Sequence, residues 1–230
     1  MSSCIEVMAI VEGKTEEIFI NSIVQPYLAH RNIFVRATQL TKPGQKGGDV
    51  RFVRVKRDLE THLKQRADTY VTLFVDYYGI KSDWPGLSLV RSNATPAQIF
   101  DTINKATKAT AVKLFAAQRA DKRFIPNITV HEFEALLFSD PNAISIHLGI
   151  SVSKVKAVLK KFGEPEAINN NPETAPSKRL DAWAKTGKFA KTTTGIAIAR
   201  DIGIRKIRKK CPLFNKWLQT FEEIQAGHNG

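Results

Sequence analysis

The chain has little of what marks exported or membrane-bound proteins. Its 230 residues include two cysteines, Cys4 and Cys211, which lie far apart and match no metal-binding spacing. We therefore expect neither a disulfide framework nor a zinc site. No apolar run approaches the roughly 18 residues that cross a bilayer, and no basic segment precedes the first apolar stretch. These absences predict a cytoplasmic protein that does not associate with a membrane.

Acidic residues are scarce relative to basic ones, and the imbalance is concentrated in the carboxy-terminal third. The formal net charge is +13, with 35 Lys and Arg against 22 Asp and Glu. Residues 1–150 carry 19 basic and 15 acidic side chains, whereas residues 151–217 carry 16 and 5. A concentrated positive field attracts phosphate backbones through counterion release, so nucleic acid is the expected partner. A solvated basic face without a partner is the alternative.

Short apolar runs alternate with helical patterns over the first 130 residues. Strands are predicted at 4–11, 33–40, 70–75 and 124–130, and helices at about 15–28, 49–66 and 95–120, the last capped by Thr95 with Pro96 following. This order predicts an α/β fold with a mainly parallel sheet flanked by helices. We expect residues 1–140 to form the core and residues 141–230 to form a basic helical extension packed on it.

Acidic residues follow two of the predicted strands. Glu12 ends the first strand in V-E-G-K-T-E-E, and Asp76 ends the strand V-T-L-F-V. His131 follows the last strand. Ligands of parallel α/β sheets bind at the carboxyl ends of the strands, so these residues are expected at one edge. Because Mg²⁺ prefers one or two carboxylates together with water and phosphate oxygens, the two acids predict a magnesium site.

The segment H-E-F-E, residues 131–134, has three interpretations. In a helix, His131 and Glu134 share a face, whereas in an extended segment Glu132 and Glu134 share one. A third interpretation is a helix start whose acids favour the positive end of the helix dipole. The sequence leaves all three open.

Basic residues in several segments are candidates for binding nucleic acid or phosphate. Gly47-Gly48 with neighbouring cations could hold a phosphate, although the spacing is not that of a P-loop. The stretch I-R-K-I-R-K-K, residues 204–210, has the densest positive charge and suits a nucleic-acid backbone if it is helical. Solvent-exposed charge is the alternative in each case. The candidates are Lys14, Lys46, Arg51, Lys178, Arg179, Arg205, Arg208 and Lys209.

Longer sequence blocks carry a family resemblance. They are V-E-G-x-T-E at the first strand, Y-Y-G-I-K-S-D-W-P-G after Asp76, H-E-F-E-A-L-L-F-S-D-P, P-E-T-A-P-S-K-R-L and K-C-P-L-F-N-K-W-L. Together they resemble an uncharacterised bacterial Toprim-like family, from Val11 to about Leu218. The resemblance implies a Toprim fold, which topoisomerases, primases and overcoming-lysogenization-defect nucleases share.

The resemblance also implies roles for individual residues. Glu12 corresponds to a glutamate that acts in proton transfer or metal binding, and Asp76 to the first member of an Asp-x-Asp pair that binds Mg²⁺. The second member falls on Tyr78, which has no carboxylate. Asp83, Glu132 or Glu134 is then expected to complete the site. Members of the family are often encoded beside ABC-type ATPases in phage-defence loci, which implies an ATPase partner.

Three functions follow from these patterns. The first is a nuclease that depends on Mg²⁺ or Mn²⁺ and acts with an ATPase. The second is a catalytically degenerate Toprim domain that binds nucleic acid or the ATPase. The third takes I-A-I-A-R-D-I-G-I-R-K-I-R-K-K, residues 196–210, as a helix-turn-helix and the protein as a DNA-binding regulator. Assembly into a homo-oligomer is compatible with each.

Overall fold

The computed structural model describes residues 4–42, 45–46, 50–130, 132–168 and 173–228. His131, Gly47 and Gly48 lie outside the described residues. Within those ranges, no helix is long and apolar enough to cross a membrane.

The strands of the described chain form one parallel sheet and one small hairpin. In chain order they are β1 Ile5–Val11, β2 Ile33–Gln39, β3 Thr41–Lys42, β4 Gln45–Lys46, β5 Thr69–Asp76, β6 Phe124–Ile125 and β7 Ile128–Thr129. The main sheet has the order β2-β1-β5-β6, and β7 also pairs with β5. Every pairing in it is parallel, whereas β3 and β4 are antiparallel.

Helices connect these strands and make up most of the chain after residue 130. They are α1 Lys14–Phe19, α2 Gln25–Ala29, α3 Phe52–Gln65, α4 Pro96–Leu114, α5 Ala120–Arg123, α6 Phe133–Leu137, α7 Pro141–Leu148, α8 Val152–Phe162, α9 Pro176–Trp183, α10 Ile196–Ile202, α11 Ile204–Lys210 and α12 Pro212–His228. Two π-helical segments, Ile20–Val24 and Lys191–Gly195, lead into α2 and α10.

The two faces of the sheet enter separate hydrophobic clusters because side chains alternate along each strand. Val11 of β1 packs with Phe19 of α1 on one face. The preceding residue, Ile10, belongs to the cluster on the other face, with Leu59 of α3 and Ile103 of α4. The sheet is therefore covered by helices on both sides.

The carboxy-terminal helix α12 packs directly on the sheet. Its residues Phe214, Trp217 and Phe221 are buried in the same cluster as β1 and α1. The Trp217 indole N–H donates to the hydroxyl of Thr72 in β5 at 2.9 Å, and Thr72 donates to the carbonyl of Ile125 at 2.7 Å. Helix α12 thus shares a hydrophobic core with the first half of the chain.

The α/β fold with a mainly parallel sheet flanked by helices is confirmed. The cap of α4 is also as expected, since Thr95 accepts a hydrogen bond from the backbone N–H of Gln98. Two boundaries differ. The helix predicted to reach residue 120 ends at Leu114, and Arg119 then adopts the left-handed conformation, with φ 56°. The strand predicted at 124–130 is split at Pro126, which has no N–H to donate to a neighbouring strand.

Candidate functional site

The carboxyl ends of β1 and β5 lie side by side and form one wall of a cavity of about 400 Å³. These strands are parallel neighbours, with Val11 opposite Phe74, so Glu12 and Asp76 emerge at the same edge. Loops and helices from distant parts of the chain complete the cavity. Its lining is Glu12, Gly13, Lys14, Thr15, Glu16, Asp76, Tyr78, Gly79, Glu132, Glu134 and Lys191.

Glu12 is held beneath the loop that follows β5. A Cβ atom at Gly79 would lie 2.7 Å from Glu12 Oε2, so any other residue at this position would displace the Glu12 carboxylate. Glu12 Oε2 is buried and has no hydrogen-bond partner among the described residues. Burial raises the pKa of the Glu12 carboxyl, while a backbone hydrogen bond from Asp76 and the charge of Lys191 act in the opposite direction.

Asp76 is the most strongly perturbed acid of the cavity. Its Oδ1 accepts a hydrogen bond from the Thr129 hydroxyl at 3.0 Å. Burial raises the pKa of Asp76 well above its usual range, and the negative charges of Glu12, Glu16 and Glu134 raise it further. Carboxylates this close to one another repel when they are ionised, and a bound cation would relieve that repulsion.

Glu134 and Lys191 form an ion pair on the opposite wall. Glu134, in the first turn of α6, is only 2% exposed, and its Oε1 lies 2.7 Å from Lys191 Nζ. Burial raises the pKa of Glu134, and Lys191 partly offsets the increase. Burial alone would lower the pKa of Lys191, but the charges of Glu134, Glu132 and Asp76 outweigh that effect and raise it. Lys191 therefore remains a cation in this acidic cavity.

Glu132 lines the cavity from the position that precedes α6. Its backbone is extended, with φ −58° and ψ 155°, and its carboxylate accepts hydrogen bonds from the Ser177 N–H at 2.9 Å and hydroxyl at 2.8 Å. The segment is thus extended at Glu132 and helical from Phe133 onward. This change of conformation explains why Glu132 and Glu134 reach the same cavity, which a continuous helix would not allow.

Two charged residues of the cavity, Glu16 and Lys191, were not identified as site residues from the sequence. Burial raises the pKa of Glu16, and the charge of Glu12 adds to that increase. Its place in the first turn of α1, directly after the turn that carries Glu12, was a usable signal. No signal in the sequence pointed to Lys191, since it lies in a polar stretch far along the chain from both strand ends.

Asp83 does not line this cavity. Its carboxylate instead accepts a hydrogen bond from the Val53 N–H, 3.2 Å away in the first turn of α3. Tyr78 does line the cavity, with 45% of its surface exposed, and so presents a phenol where the resembled family has its second aspartate. Lys14 lies at the cavity mouth and forms an ion pair with Glu17 at 2.8 Å.

The remaining basic candidates divide into exposed and structural side chains. Lys178, Arg205 and Lys209 are exposed at α9 and α11. Arg208 instead forms two hydrogen bonds with the Glu222 carboxylate, at 2.6 and 2.8 Å, which join α11 to α12.

Arg179, Arg51 and Lys46 occupy other positions. Arg179 donates to the Thr174 carbonyl at 2.7 Å and lies over the ring of Phe162. Arg51 is exposed immediately before α3, and Lys46 belongs to β4. Arg51 does not line the cavity of Glu12 and Asp76.

The carboxylates of the cavity suit a hard cation that takes only one or two of its ligands from the protein. In the described part of the chain, no three His, Cys, Asp or Glu residues are grouped so as to hold a metal ion together. Mg²⁺ does not need three, because it retains several waters and takes one or two carboxylates. Glu12, with its unpaired buried oxygen, and Asp76, with its raised pKa, are the two that fit.

Comparisons with known proteins give one match. No curated protein and no solved structure matches the chain significantly. The match is to a protein family described as "Domain of unknown function (DUF4276)", and it extends over residues 11–222. That range includes every residue that lines the cavity. The chain belongs to the DUF4276 family.

Proposed function

We propose that this chain is a Mg²⁺-dependent nuclease that hydrolyses phosphodiester bonds, with Mn²⁺ as a competent substitute. The observation that carries the proposal is the meeting of Glu12, Asp76 and Glu134 with Lys191 in one cavity at the carboxyl edge of a parallel sheet. Acids of raised pKa beside a retained cation are typical of sites where charge changes during a reaction.

Glu12 and Asp76 would hold the ion. When bound, Mg²⁺ supplies positive charge that stabilises the scissile phosphate and lowers the pKa of an attacking water. Glu12 Oε2, which has no hydrogen-bond partner among the described residues, would accept the proton of that water. Lys191, held by Glu134, adds a fixed positive charge at the opposite wall, where it would attract the phosphate.

The proposal extends to a Toprim-type site and a nucleic-acid substrate. Its support is the sequence resemblance, the matching places of Glu12 and Asp76, and the basic carboxy-terminal third. Arg205 and Lys209 are exposed on α11 and would bind the phosphate backbone outside the cavity. The ABC-type ATPase partner and the setting in phage defence rest on the resemblance alone.

A second function, a degenerate Toprim domain that binds without cleaving, is favoured by one observation. Tyr78 occupies the position of the second aspartate, which leaves the described cavity without a three-carboxylate metal cluster. A helix-turn-helix regulator is less well supported, because Gly203 alone joins α10 to α11. The motif normally has a turn of about three or four residues.

The test is cleavage of labelled single- and double-stranded DNA and RNA with Mg²⁺ or Mn²⁺. It is run with and without any ABC-type ATPase that is encoded beside the gene for this chain. Wild type is compared with Glu12→Gln and Asp76→Asn, and Asp83→Asn is the matched control because Asp83 lies outside the cavity. We expect metal-dependent cleavage that falls at least about 100-fold in the first two variants only. Binding without cleavage in every arm, unchanged by either substitution, would support the degenerate domain instead.

A further inference from the structure

A second and larger cavity, of about 520 Å³, opens between α4 and α12. We call it the α4–α12 cavity. Its volume lies within the range of roughly 300 to 1,000 Å³ that is usual for small-molecule sites. Most of its surface is apolar. The apolar lining consists of Phe100, Phe124, Ile125, Pro126, Trp217 and Ile224.

The α4–α12 cavity is separate from the cavity of Glu12 and Asp76. Among the residues that the structure describes, none lines both. Its lining includes Ile125, which pairs with Thr72 in the middle of β5, whereas Asp76 ends that strand. Four residues of extended strand span about 13 Å. A ligand here would therefore bind away from the proposed catalytic carboxylates.

Positive charge surrounds the apolar floor. Four lysines line the cavity, and the acid among the lining residues, Asp101, is already paired with Lys216 at 2.8 Å. Lys108 is held in place because its ammonium donates to the carbonyls of Ala120, at 2.9 Å, and Phe124. Lys105 and Lys122 are exposed, and within the described ranges neither forms an ion pair. The rim therefore has cations to offer to an anion.

A buried amide of the same cavity also lacks a partner. Asn104 is 7% exposed, and its Oδ1 accepts a hydrogen bond from the Ile128 N–H at 2.8 Å. Its Nδ2 is buried and has no acceptor among the described residues. A buried donor without an acceptor costs free energy, which a ligand acceptor that reached it would recover.

We propose that the α4–α12 cavity binds an organic anion with an apolar body. The apolar body would cover the floor, and the anionic group would lie between Lys105 and Lys122 at the rim. Both an acyl carboxylate and a nucleoside monophosphate have this chemistry. The inference is independent of the proposed nuclease activity, because it uses none of the residues that line the other cavity.

The experiment measures binding of the fluorescent anion anilinonaphthalene sulfonate to the folded full-length protein, followed by competition. Hexanoate, octanoate and decanoate form one competing series, and adenosine monophosphate is the other competitor. The test variant is Lys105→Glu with Lys122→Glu. The matched control is Lys156→Glu with Lys160→Glu, two exposed lysines of α8 that do not line the cavity. Thermal unfolding establishes that both variants are folded.

We expect saturable dye binding that weakens about tenfold or more in the test variant and less than about twofold in the control. If an acyl chain is the ligand type, competition strengthens about fourfold for each buried methylene along the carboxylate series. If the ligand is a nucleotide, adenosine monophosphate competes with the dye, and competition by the carboxylates does not increase with chain length. Equal dye affinity in the two double variants, or saturable dye binding that neither competitor displaces, would overturn the proposal.

Discussion

Lys191 Nζ lies 2.7 Å from Glu134 Oε1 and so ties the π-helical segment before α10 to the first turn of α6. The acid is 2% exposed and the lysine 45%, so the pair spans the boundary between core and solvent. This contact fixes one wall of the cavity and places a cation among its acids. The effect of removing it on the free energy of unfolding can be measured whether or not the protein is an enzyme.

Replacing Lys191 by methionine is expected to lower the free energy of unfolding by about 2 kcal/mol at pH 8. Breaking a buried pair costs about 3–5 kcal/mol, and the half-exposed lysine reduces that loss. At pH 5 the loss should be smaller, because the raised pKa of Glu134 lets the acid take up a proton rather than remain charged. Urea unfolding at the two pH values measures both quantities.

The control is the double variant Lys191→Met with Glu134→Gln, in which no charge is stranded. We expect it to be more stable than Lys191→Met alone at pH 8, because the buried carboxylate is gone. A double variant no more stable than the single one would mean that the ion pair contributes nothing and that Lys191 matters only for packing.

Mg²⁺ should stabilise the protein more at pH 8 than at pH 6. Burial and neighbouring acids raise the pKa of Glu12 and Asp76, so protons compete with the metal as the pH falls. Binding to the folded state then raises the melting temperature in proportion to the logarithm of metal concentration above Kd. Thermal unfolding with increasing Mg²⁺ at both pH values gives the comparison.

The substitutions Glu12→Gln and Asp76→Asn are expected to abolish this stabilisation, while Asp83→Asn retains it. Asp83 bonds to the Val53 N–H and lies outside the cavity, so it controls for loss of one acid at the surface. Without metal, the two cavity variants should be more stable than wild type at pH 8, since each removes charge repulsion. A Mg²⁺ effect of equal size in all three would place the metal elsewhere.

The sequence predicted those parts of the site that follow directly from strand ends. Glu12 and Asp76 could be placed because parallel neighbouring strands end at one edge. Glu132 and Glu134 could be named but not oriented, because the sequence does not show where the backbone changes from extended to helical before α6. Lys191 could not be found, because its position depends on how the carboxy-terminal helices pack.

The fold shows the same division between local and long-range information. The parallel α/β sheet was predicted from alternating apolar runs and helical patterns, which are local. The sequence led us to expect that residues 141–230 pack on the core, but it did not indicate which helix contacts the sheet, because the hydrogen bond between Trp217 and Thr72 joins residues far apart in the chain. The break at Pro126 could have been predicted, since proline cannot donate to a strand ladder.

Glu166 should make stability depend on pH. It accepts hydrogen bonds from the N–H groups of Leu213 and Phe214 at the start of α12, and burial raises its pKa from 4.5 to about 7. The folded state therefore holds the proton more tightly, so this contribution is complete below pH 4.5 and is lost as the pH rises to about 7. The difference is about 3 kcal/mol at most.

Glu166→Gln removes this titration and should flatten the dependence of unfolding free energy on pH between about 5 and 7, relative to wild type. Glu164→Gln is the control, because that acid is exposed on the same segment. Urea unfolding across the pH range gives the curves. Identical slopes for Glu166→Gln and wild type would show that Glu166 does not titrate in this range.

Two buried tryptophans on opposite faces of the sheet should contribute independently to stability. Trp217 donates to Thr72 and Trp84 donates to Thr107, each at 2.9 Å. Substitution by phenylalanine removes one hydrogen bond and part of a buried ring, which costs about 2–3 kcal/mol each. Because the two belong to separate clusters, the losses should add within about 0.5 kcal/mol in the double variant.

Trp183→Phe is the control for this series, because Trp183 is partly exposed, and we expect it to cost less than about 1 kcal/mol. Urea unfolding measures all four variants. A double variant much less destabilised than the sum would mean that the two clusters are coupled through the sheet.

The basic residues of α11 should fall into two groups, one that affects nucleic-acid binding and one that affects stability. Arg205 and Lys209 are exposed, whereas Arg208 is held by the Glu222 carboxylate. If α11 binds a phosphate backbone, Arg205→Ala with Lys209→Ala lowers nucleic-acid affinity and reduces the slope of log affinity against log salt by about two, because two phosphate contacts are lost. Its melting temperature should stay close to that of wild type.

Arg208→Ala should have the opposite profile. It removes a paired, half-buried guanidinium that joins α11 to α12, so it lowers the unfolding free energy by about 1–3 kcal/mol. The salt slope should stay close to that of wild type, because Arg208 contacts protein rather than phosphate. Fluorescence anisotropy on labelled DNA and RNA over a series of salt concentrations, with thermal unfolding of each variant, distinguishes the two profiles. An unchanged salt slope in the Arg205 and Lys209 variant would remove α11 from the nucleic-acid surface.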